Sequence, residues 1–319
     1  MTDPALSIIL VSWNTRDLTL ACLRSLQAFP PGMPFEVIVV DNRSADGTDA
    51  AVRTGHPMAR LVQAGANLGF GGGANLGASH ARGEYLLFLN TDAEVQSGAL
   101  DALLAFADER PAAGLWGGRT IYPDGAVNPS NCAALPGLWS HICFALGFNA
   151  LFSRSRLFNP EQYGDWPRDT PGEVGMIAGC FLLVRAELFK RLGGFDRDFF
   201  MYGEDADLCV RARALGARPT FTPSATIVHR TGQSSNPGDM RSYLFGAKIE
   251  LARRHQRGLG SRLSRHLVVT GVWLRYAAYT AAARIGADRS GQSEVWRSVW
   301  RRRHLWRNGA VAGALEPYR

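Results

Sequence analysis

The 319-residue chain lacks several features that would have settled its class early. Its first residues hold no basic segment leading into an apolar stretch and a cleavage site, so no secretion signal is expected. The five cysteines, Cys22, Cys132, Cys143, Cys180 and Cys209, contain no C-x-x-C pair. An odd, scattered set argues for reduced thiols in a cytosolic compartment. No clean apolar run is long enough to span a bilayer. Leu267 to Ala287 comes nearest and is broken by Arg275 and Arg284, whereas a span needs about 20 apolar residues. Internal repeats are absent. Acidic residues are scarce in one region only: residues 1–239 carry 19 Lys and Arg against 24 Asp and Glu, and residues 240–319 carry 16 against 4. A basic tail on an acidic body suggests a surface tether, with anionic lipid as the first candidate and nucleic acid the lesser one.

What is present is a globular composition, 46% hydrophobic, enough for a sizeable core. Short apolar runs at Leu6–Ser12, Phe35–Val40, Arg60–Val62, Glu84–Leu89 and Met176–Val184 read as buried strands. Helical spacing lies between them, over Asp17–Phe29, from Ser44, over Ala74–Ala81 and over Gly98–Ala107. A short helix follows at Glu187–Leu192, and another at Asp205–Leu215 is stopped by Gly216. Strand and helix in alternation predict an α/β fold with a mostly parallel sheet. Ligands of such sheets bind at the carboxyl ends of the strands. Asn14, Asp41, Asn67 and Asp92 all fall just past such ends. Residues 123–172 read as a loop-like, flexible region over the site. Arg218–Phe221 and Thr226–His229 read as two short extended pieces.

Four groupings could carry chemistry. Asn90-Thr91-Asp92 closes an apolar strand, where a carboxylate can hold a divalent cation; alone, it reads first as a turn with a helix cap. Glu204-Asp205-Ala206-Asp207 follows an aromatic stretch. One acid there would suffice to cap a helix, and a carboxylate beside apolar groups can be tuned as a general base. His229 ends an extended segment; a lone histidine is usually structural, yet imidazole partners carboxylate at Mn²⁺-type sites. The segment Asn67-Leu68-Gly69-Phe70-Gly71-Gly72-Gly73-Ala74-Asn75 could let backbone approach a ligand. It also mimics a dinucleotide fingerprint, but one misplaced after the third strand of its unit instead of the first.

Taken in order, these segments resemble the family 2 glycosyltransferases of the GT-A fold, particularly the bacterial rhamnosyltransferase-like branch. The resemblance is carried by Ser7–Asn14, Val39–Thr48, Asn67–Asn75, Leu89–Val95, Gly193–Asp196, Phe199–Leu208 and His229–Ser234. It implies a catalytic domain over 1–239, with a nucleotide-sugar half at about 1–95 and an acceptor half at about 96–239; residues 240–319, which it covers poorly, read from their own composition as an Arg-rich amphipathic helical tail. It implies that Asp41 accepts from the donor's pyrimidine, that Val11, Ser12 and Asn14 line that pocket, and that Asn67, Gly69, Phe70 and Asn75 shape its wall. Asn90, Thr91 and Asp92 stand at the family's D-x-D motif, with Asn90 replacing the first acid. Asp92 and His229 would hold Mg²⁺ or Mn²⁺. Asp205 would be the base and Glu204 would shape the acceptor pocket.

The implied reaction inverts the anomeric centre in a single displacement. The donor is a dTDP- or UDP-sugar, with dTDP-rhamnose the first guess, and the acceptor is a lipid-linked or polysaccharide hydroxyl. The expected location is the inner face of the plasma membrane, with the tail, including Trp296, Trp300 and Trp306, on anionic lipid. A nicotinamide-dependent oxidoreductase and a catalytically inactive sugar-nucleotide-binding scaffold are the alternatives.

Overall fold

A computed structural model describes residues 3–230, 237–288, 290–311 and 313. Thr231–Ser234, the end of the last resembling segment, lies outside the described residues. The first elements are β1 (Leu6–Ser12), α1 (Arg16–Ala28), β2 (Phe35–Asp41), α2 (Thr48–Gly55), β3 (Ala59–Gln63), α3 (Gly69–Ser79) and β4 (Tyr85–Asn90). Next come β5 (Ala93–Val95), α4 (Ala99–Glu109), β6 (Leu115–Ile121), β7 (Val127–Asn128), β8 (Cys132–Ala133), α5 (Leu138–Ala145) and α6 (Phe148–Leu151). Then follow β9 (Gly172–Glu173), β10 (Met176–Ile177), β11 (Phe181–Arg185), α7 (Ala186–Arg191), α8 (Glu204–Ala214) and β12 (Thr220–His229). The chain closes with α9 (Pro237–His255), α10 (Leu259–Arg284), α11 (Gln292–Arg301) and α12 (Arg303–Trp306).

The chain divides into two compact units. The first takes Met1–Ala133, Pro167–Arg197 and Glu204–Ser234. Its sheet runs β3-β2-β1-β4-β11-β6-β12-β5, with β7 on β6 and β9 on β12. The β1–β2, β2–β3, β1–β4 and β6–β12 pairs are parallel, whereas β11 and β5 run antiparallel to their neighbours. This is an α/β fold with a mixed sheet and flanking helices. The central strands are apolar throughout because helices cover both faces. Ile8, Leu10, Leu87 and Leu89 share a core with Leu23 and Leu26 of α1 and Leu100, Leu103 and Leu104 of α4. On the other face α3 approaches so closely that a Cβ on Gly77 would sit 2.5 Å from Ile9 Cγ2.

Three local readings of the sequence change. Residues 176–184 are not one strand. Met176–Ile177 pairs with Cys132–Ala133 in a separate two-stranded sheet, and only Phe181–Arg185 enters the main one. The Ala178-Gly179-Cys180 turn divides them, with Ala178 N–H on Asn131 O. Leu115–Ile121 was not legible as a strand, because Gly117-Gly118 interrupts its apolar pattern. Those glycines are required: a Cβ on Gly118 would lie 2.3 Å from Phe181 Cε1 and 2.5 Å from Ala225 O. Gly118→Ala is therefore expected to destabilise the protein by about 1–3 kcal/mol, read as a lower denaturation midpoint with an unchanged slope. Finally, the two pieces around Pro223 form one strand, β12, whose register shifts between Thr222 and Thr226.

The second unit takes Ala134–Trp166, Asp198–Gly203 and Ser235–Arg319. Part of the stretch expected to be loop is thus helical, in α5 and α6, and belongs with the basic tail. Its core includes Phe200, Tyr243, Phe245, Ile249, Val268, Val272, Trp296, Val299 and Trp306. Trp306 is fully buried and Trp296 nearly so, so these two tryptophans serve packing and not a lipid interface. Several arginines are used internally too. Arg254 bonds Glu250 and Asp198 at 2.5 Å, Arg302 pairs with Asp239, and Arg275 lies 4.0 Å over the Phe144 ring. No helix among the described residues is long and apolar enough to cross a membrane.

Candidate active site

The parallel register brings the strand ends of the first unit level. Ser12 stands opposite Asp41, and Val11 opposite Asn90. Asp41 is buried, and its Oδ1 accepts the Ser44 N–H at 3.0 Å. Asn14, at φ 53°, uses Oδ1 to accept the Ala45 N–H, and its own N–H reaches Ser44 Oγ. The β1 and β2 turns are thereby laced into one wall. Asn42, beside Asp41, donates from Nδ2 to Gly69 O at 2.9 Å, and Asn67 Oδ1 accepts the Gly69 N–H at 3.0 Å. Gly69 begins α3 at φ 72°, a conformation that favours glycine. Val11 touches this helix start, since a Cβ on Gly73 would fall 2.7 Å from its Cγ1.

Asp92 lies two residues past the end of β4, and β5 brings Ala93 opposite His229 of β12. His229 Nε2 meets Asp92 Oδ1 at 3.0 Å, and Asn90 Nδ2 lies 3.4 Å from the same nitrogen. Both members of the Asp92–His229 pair are buried. Burial opposes a charge on the imidazole, but Cys180 and the Asp92 carboxylate outweigh it and raise its pKa. Thr91 Oγ1 bonds Thr15 Oγ1 at 3.2 Å, and Thr15 in turn meets Ser12 Oγ at 3.1 Å, so hydroxyls tie the β1 and β4 ends together.

The 178–180 turn joins these groups to α8. Asn90 N–H donates to Cys180 O at 3.2 Å, and Gly179 N–H donates to Asp205 Oδ2 at 3.1 Å. Asp205 Oδ1 accepts the Ala206 N–H, so both oxygens are oriented by backbone. Gly179 must be glycine, because a Cβ there would lie 2.6 Å from the Phe70 ring. Glu204 is buried, with no hydrogen-bond partner on Oε2 among the described residues. Its burial, then the Asp205 carboxylate beside it, push its pKa well above the usual carboxylate range.

Asp92, His229, Asn90 and Asp205 are therefore linked through one turn, and Ser12, Asn14, Asp41, Asn67 and Gly69 through a second set of bonds. Asn75 sits apart from both. Its carboxamide donates to Phe195 O and accepts the Phe195 N–H, each at 2.8 Å. Sequence reasoning overlooked Asn42 and Thr15 as positioning groups. Asn42 adjoins Asp41 in the sequence and could have been noticed; Thr15 gives no sequence signal.

The glycine segment does not present backbone to a pyrophosphate. Gly71 and Gly73 are buried inside α3, and the Cβ positions they leave open lie against Phe195 and Val11. That removes the structural basis for the nicotinamide alternative. Residues 7–193 match the family model described as Glycosyl transferase family 2. The chain belongs to that family. Residues 167–315 also match Glycosyl transferase family group 2.

This family 2 glycosyltransferase is 34% identical over 242 residues to an N-acetylglucosaminyl-diphospho-decaprenol L-rhamnosyltransferase of Mycobacterium tuberculosis, covering 70% of this chain and 76% of the relative. It is 27% identical over 232 residues to rhamnosyltransferase WbbL of Escherichia coli, covering 70% and 82% respectively. Among solved structures it shares its fold with a mannosyltransferase of Pyrobaculum calidifontis in complex with GDP-Man and Mn²⁺. That match has a TM-score of 0.57 at 19% identity and covers 94% of this chain and 85% of the other. The fold is thus GT-A, and the chain is rhamnosyltransferase-like.

Proposed function

We propose that this glycosyltransferase moves a sugar, rhamnose from dTDP-rhamnose being the first candidate, onto a hydroxyl of a lipid-linked or polysaccharide acceptor. The observation that carries the reading is the linkage of Asp205, through Gly179 and Cys180, to Asn90, and of Asn90 to the Asp92–His229 pair. A base thereby stands beside a site able to receive a diphosphate. The mycobacterial relative's name gives the acceptor class and the sugar.

Asp41 and the laced turns around Ser12 and Asn14 would hold the pyrimidine, with Val11, Asn67, Gly69 and Phe70 forming the wall. Asn75 would act indirectly, by fixing the Phe195 loop. Asp92 and His229 would offer a divalent ion one carboxylate and, once the ion displaces the proton that the Asp92 contact favours, one imidazole. No group of three His, Cys, Asp or Glu side chains that could hold an ion occurs among the described residues. Mg²⁺ or Mn²⁺, which accept phosphate and water oxygens, fit so sparse a set. Such an ion, when bound, neutralises charge on the departing diphosphate.

Asp205 takes the acceptor's hydroxyl proton as that oxygen attacks the anomeric carbon. The carbon–oxygen bond to the diphosphate breaks on the opposite side, which inverts the centre and needs no covalent intermediate. Glu204 is held towards its neutral form by its burial and by the Asp205 carboxylate beside it. Work on a lipid-linked acceptor would be done at the inner face of the membrane.

A screen of sugar nucleotides with Mg²⁺ or Mn²⁺ tests this. A dTDP- or UDP-sugar is expected to raise the melting temperature, and dTDP-rhamnose to be consumed when a polyprenyl-diphosphate N-acetylglucosamine acceptor is present. Stabilisation without transfer or hydrolysis for any donor would favour the scaffold alternative instead.

A further inference from the structure

We infer that one face of α10 is a docking surface for an anionic lipid bilayer. The inference rests on the reading that the acceptor is lipid-linked, and it moves the expected contact away from the tryptophan–arginine segment. Trp296 and Trp306 lie inside the core of the second unit, so they are not available to lipid.

α10 is the longest helix of the fold, at 26 residues, or about 39 Å at 1.5 Å per residue. Ser264, Val268, Gly271 and Val272 are its buried residues. The opposite arc is open and mostly apolar. Leu259 is 79% exposed, Leu263 46%, Trp273 47% and Leu274 40%, and Ile285, just past the helix end, is 81% exposed. At 3.6 residues per turn these positions fall on one side of the helix. Five large apolar side chains aligned in this way are more than the scattered single exposures of an ordinary surface.

The charge along this stretch of chain has one sign up to Asp288. Residues 251–287 contain seven arginines and no aspartate or glutamate. Arg257, Arg262 and Arg284 are exposed on or beside the helix. Arg253 and Arg254 are taken by Glu250 and Asp198, Arg265 by the Arg307 carbonyl and Asn308, and Arg275 by the Phe144 ring, so Arg257, Arg262 and Arg284 are the ones left for an external anion. An apolar stripe with tryptophan, rimmed by arginine and free of acids, matches the headgroup–acyl boundary of an anionic membrane. A partner protein or a second copy would match the apolar stripe but would not by itself call for a wholly cationic rim. Nucleic acid would match the rim and gain nothing from the leucines.

The test is flotation of the full-length protein with vesicles of phosphatidylglycerol and, separately, of phosphatidylcholine. Wild type is expected to float with the first and remain largely behind with the second. The triple variant Leu263→Glu, Trp273→Glu, Leu274→Glu is expected to lose about tenfold or more of the bound fraction. Its thermal melt should be unchanged, because all three side chains are exposed. Equal flotation of wild type and variant overturns the inference, as does failure of wild type to float with phosphatidylglycerol. It is also overturned if light scattering finds a lipid-free dimer that the variant converts to monomer. Donor-induced thermal stabilisation, measured on the same samples, separates the two readings. If flotation holds and no sugar nucleotide binds, docking stands and the transferase assignment falls. If a donor binds and flotation fails, docking alone falls.

Discussion

Asp205→Asn is expected to bind the sugar nucleotide about as well as wild type while turnover falls by about 10²–10⁴-fold. The amide keeps the shape of the carboxylate, and its oxygen can still accept the Gly179 N–H that Asp205 Oδ2 accepts at 3.1 Å. What it cannot do is take a proton, or accept the second backbone N–H, from Ala206, that Oδ1 now accepts. Donor affinity by calorimetry and single-turnover transfer, measured on the same protein, separate these properties. Near-normal turnover would remove Asp205 from the role of base. Glu204 is the natural rival, being next in sequence and buried with an oxygen that lacks a partner among the described residues. Its burial and the adjacent Asp205 hold it towards the neutral form, which suits it poorly to receive a proton.

Asp92→Ala is expected to cost donor affinity about 100-fold when Mg²⁺ or Mn²⁺ is present, and little when a chelator is present. In the intact protein Asp92 is buried and bonds His229 Nε2 at 3.0 Å. Removing the carboxylate takes away half of the proposed ion site and leaves the imidazole without its charge partner. Calorimetry with dTDP or UDP, with and without the ion, reads the difference. An affinity that is the same for both proteins in the presence of the ion would contradict the assignment. Asn90, 3.4 Å from the same histidine nitrogen, can offer a hydrogen bond in place of the family's first acid but no charge.

The legible part of the fold was the part written in uninterrupted apolar residues. β1, β2 and β4 are covered on both faces, so Leu6–Leu10, Val37–Val40 and Leu86–Leu89 could be read almost residue for residue. β6 escaped because its Gly117-Gly118 pair has no side chain to read; the room belongs to Ile177 and Phe181. α3 begins five residues earlier than expected for a similar reason. Glycine lowers helix propensity, and here close packing against Phe195, Val11 and Ile9 overrides it. The strand-end acids could be named from sequence, because a parallel sheet directs its carboxyl ends to a common edge. Their connecting bonds could not, since these depend on pairings such as Ala93 with His229, 136 residues apart by number. In the tail, Trp296 and Trp306 were placed wrongly. Tryptophan and arginine in alternation read as an interfacial surface, and the structure spends two of those tryptophans on a core of its own.

Two peptide groups of the 178–181 stretch, with one peptide between them, face different halves of the proposed chemistry. The amide of Gly179 fixes the proton acceptor, and the carbonyl of Cys180 fixes the strand that ends beside the leaving-group site. In the proposed mechanism, the spacing between where a proton departs and where a diphosphate departs would be set by the length of a dipeptide, which hardly stretches. Side chains around it can be exchanged to admit different hydroxyls while that span is preserved, much as a fixed-jaw gauge accepts different workpieces without recalibration.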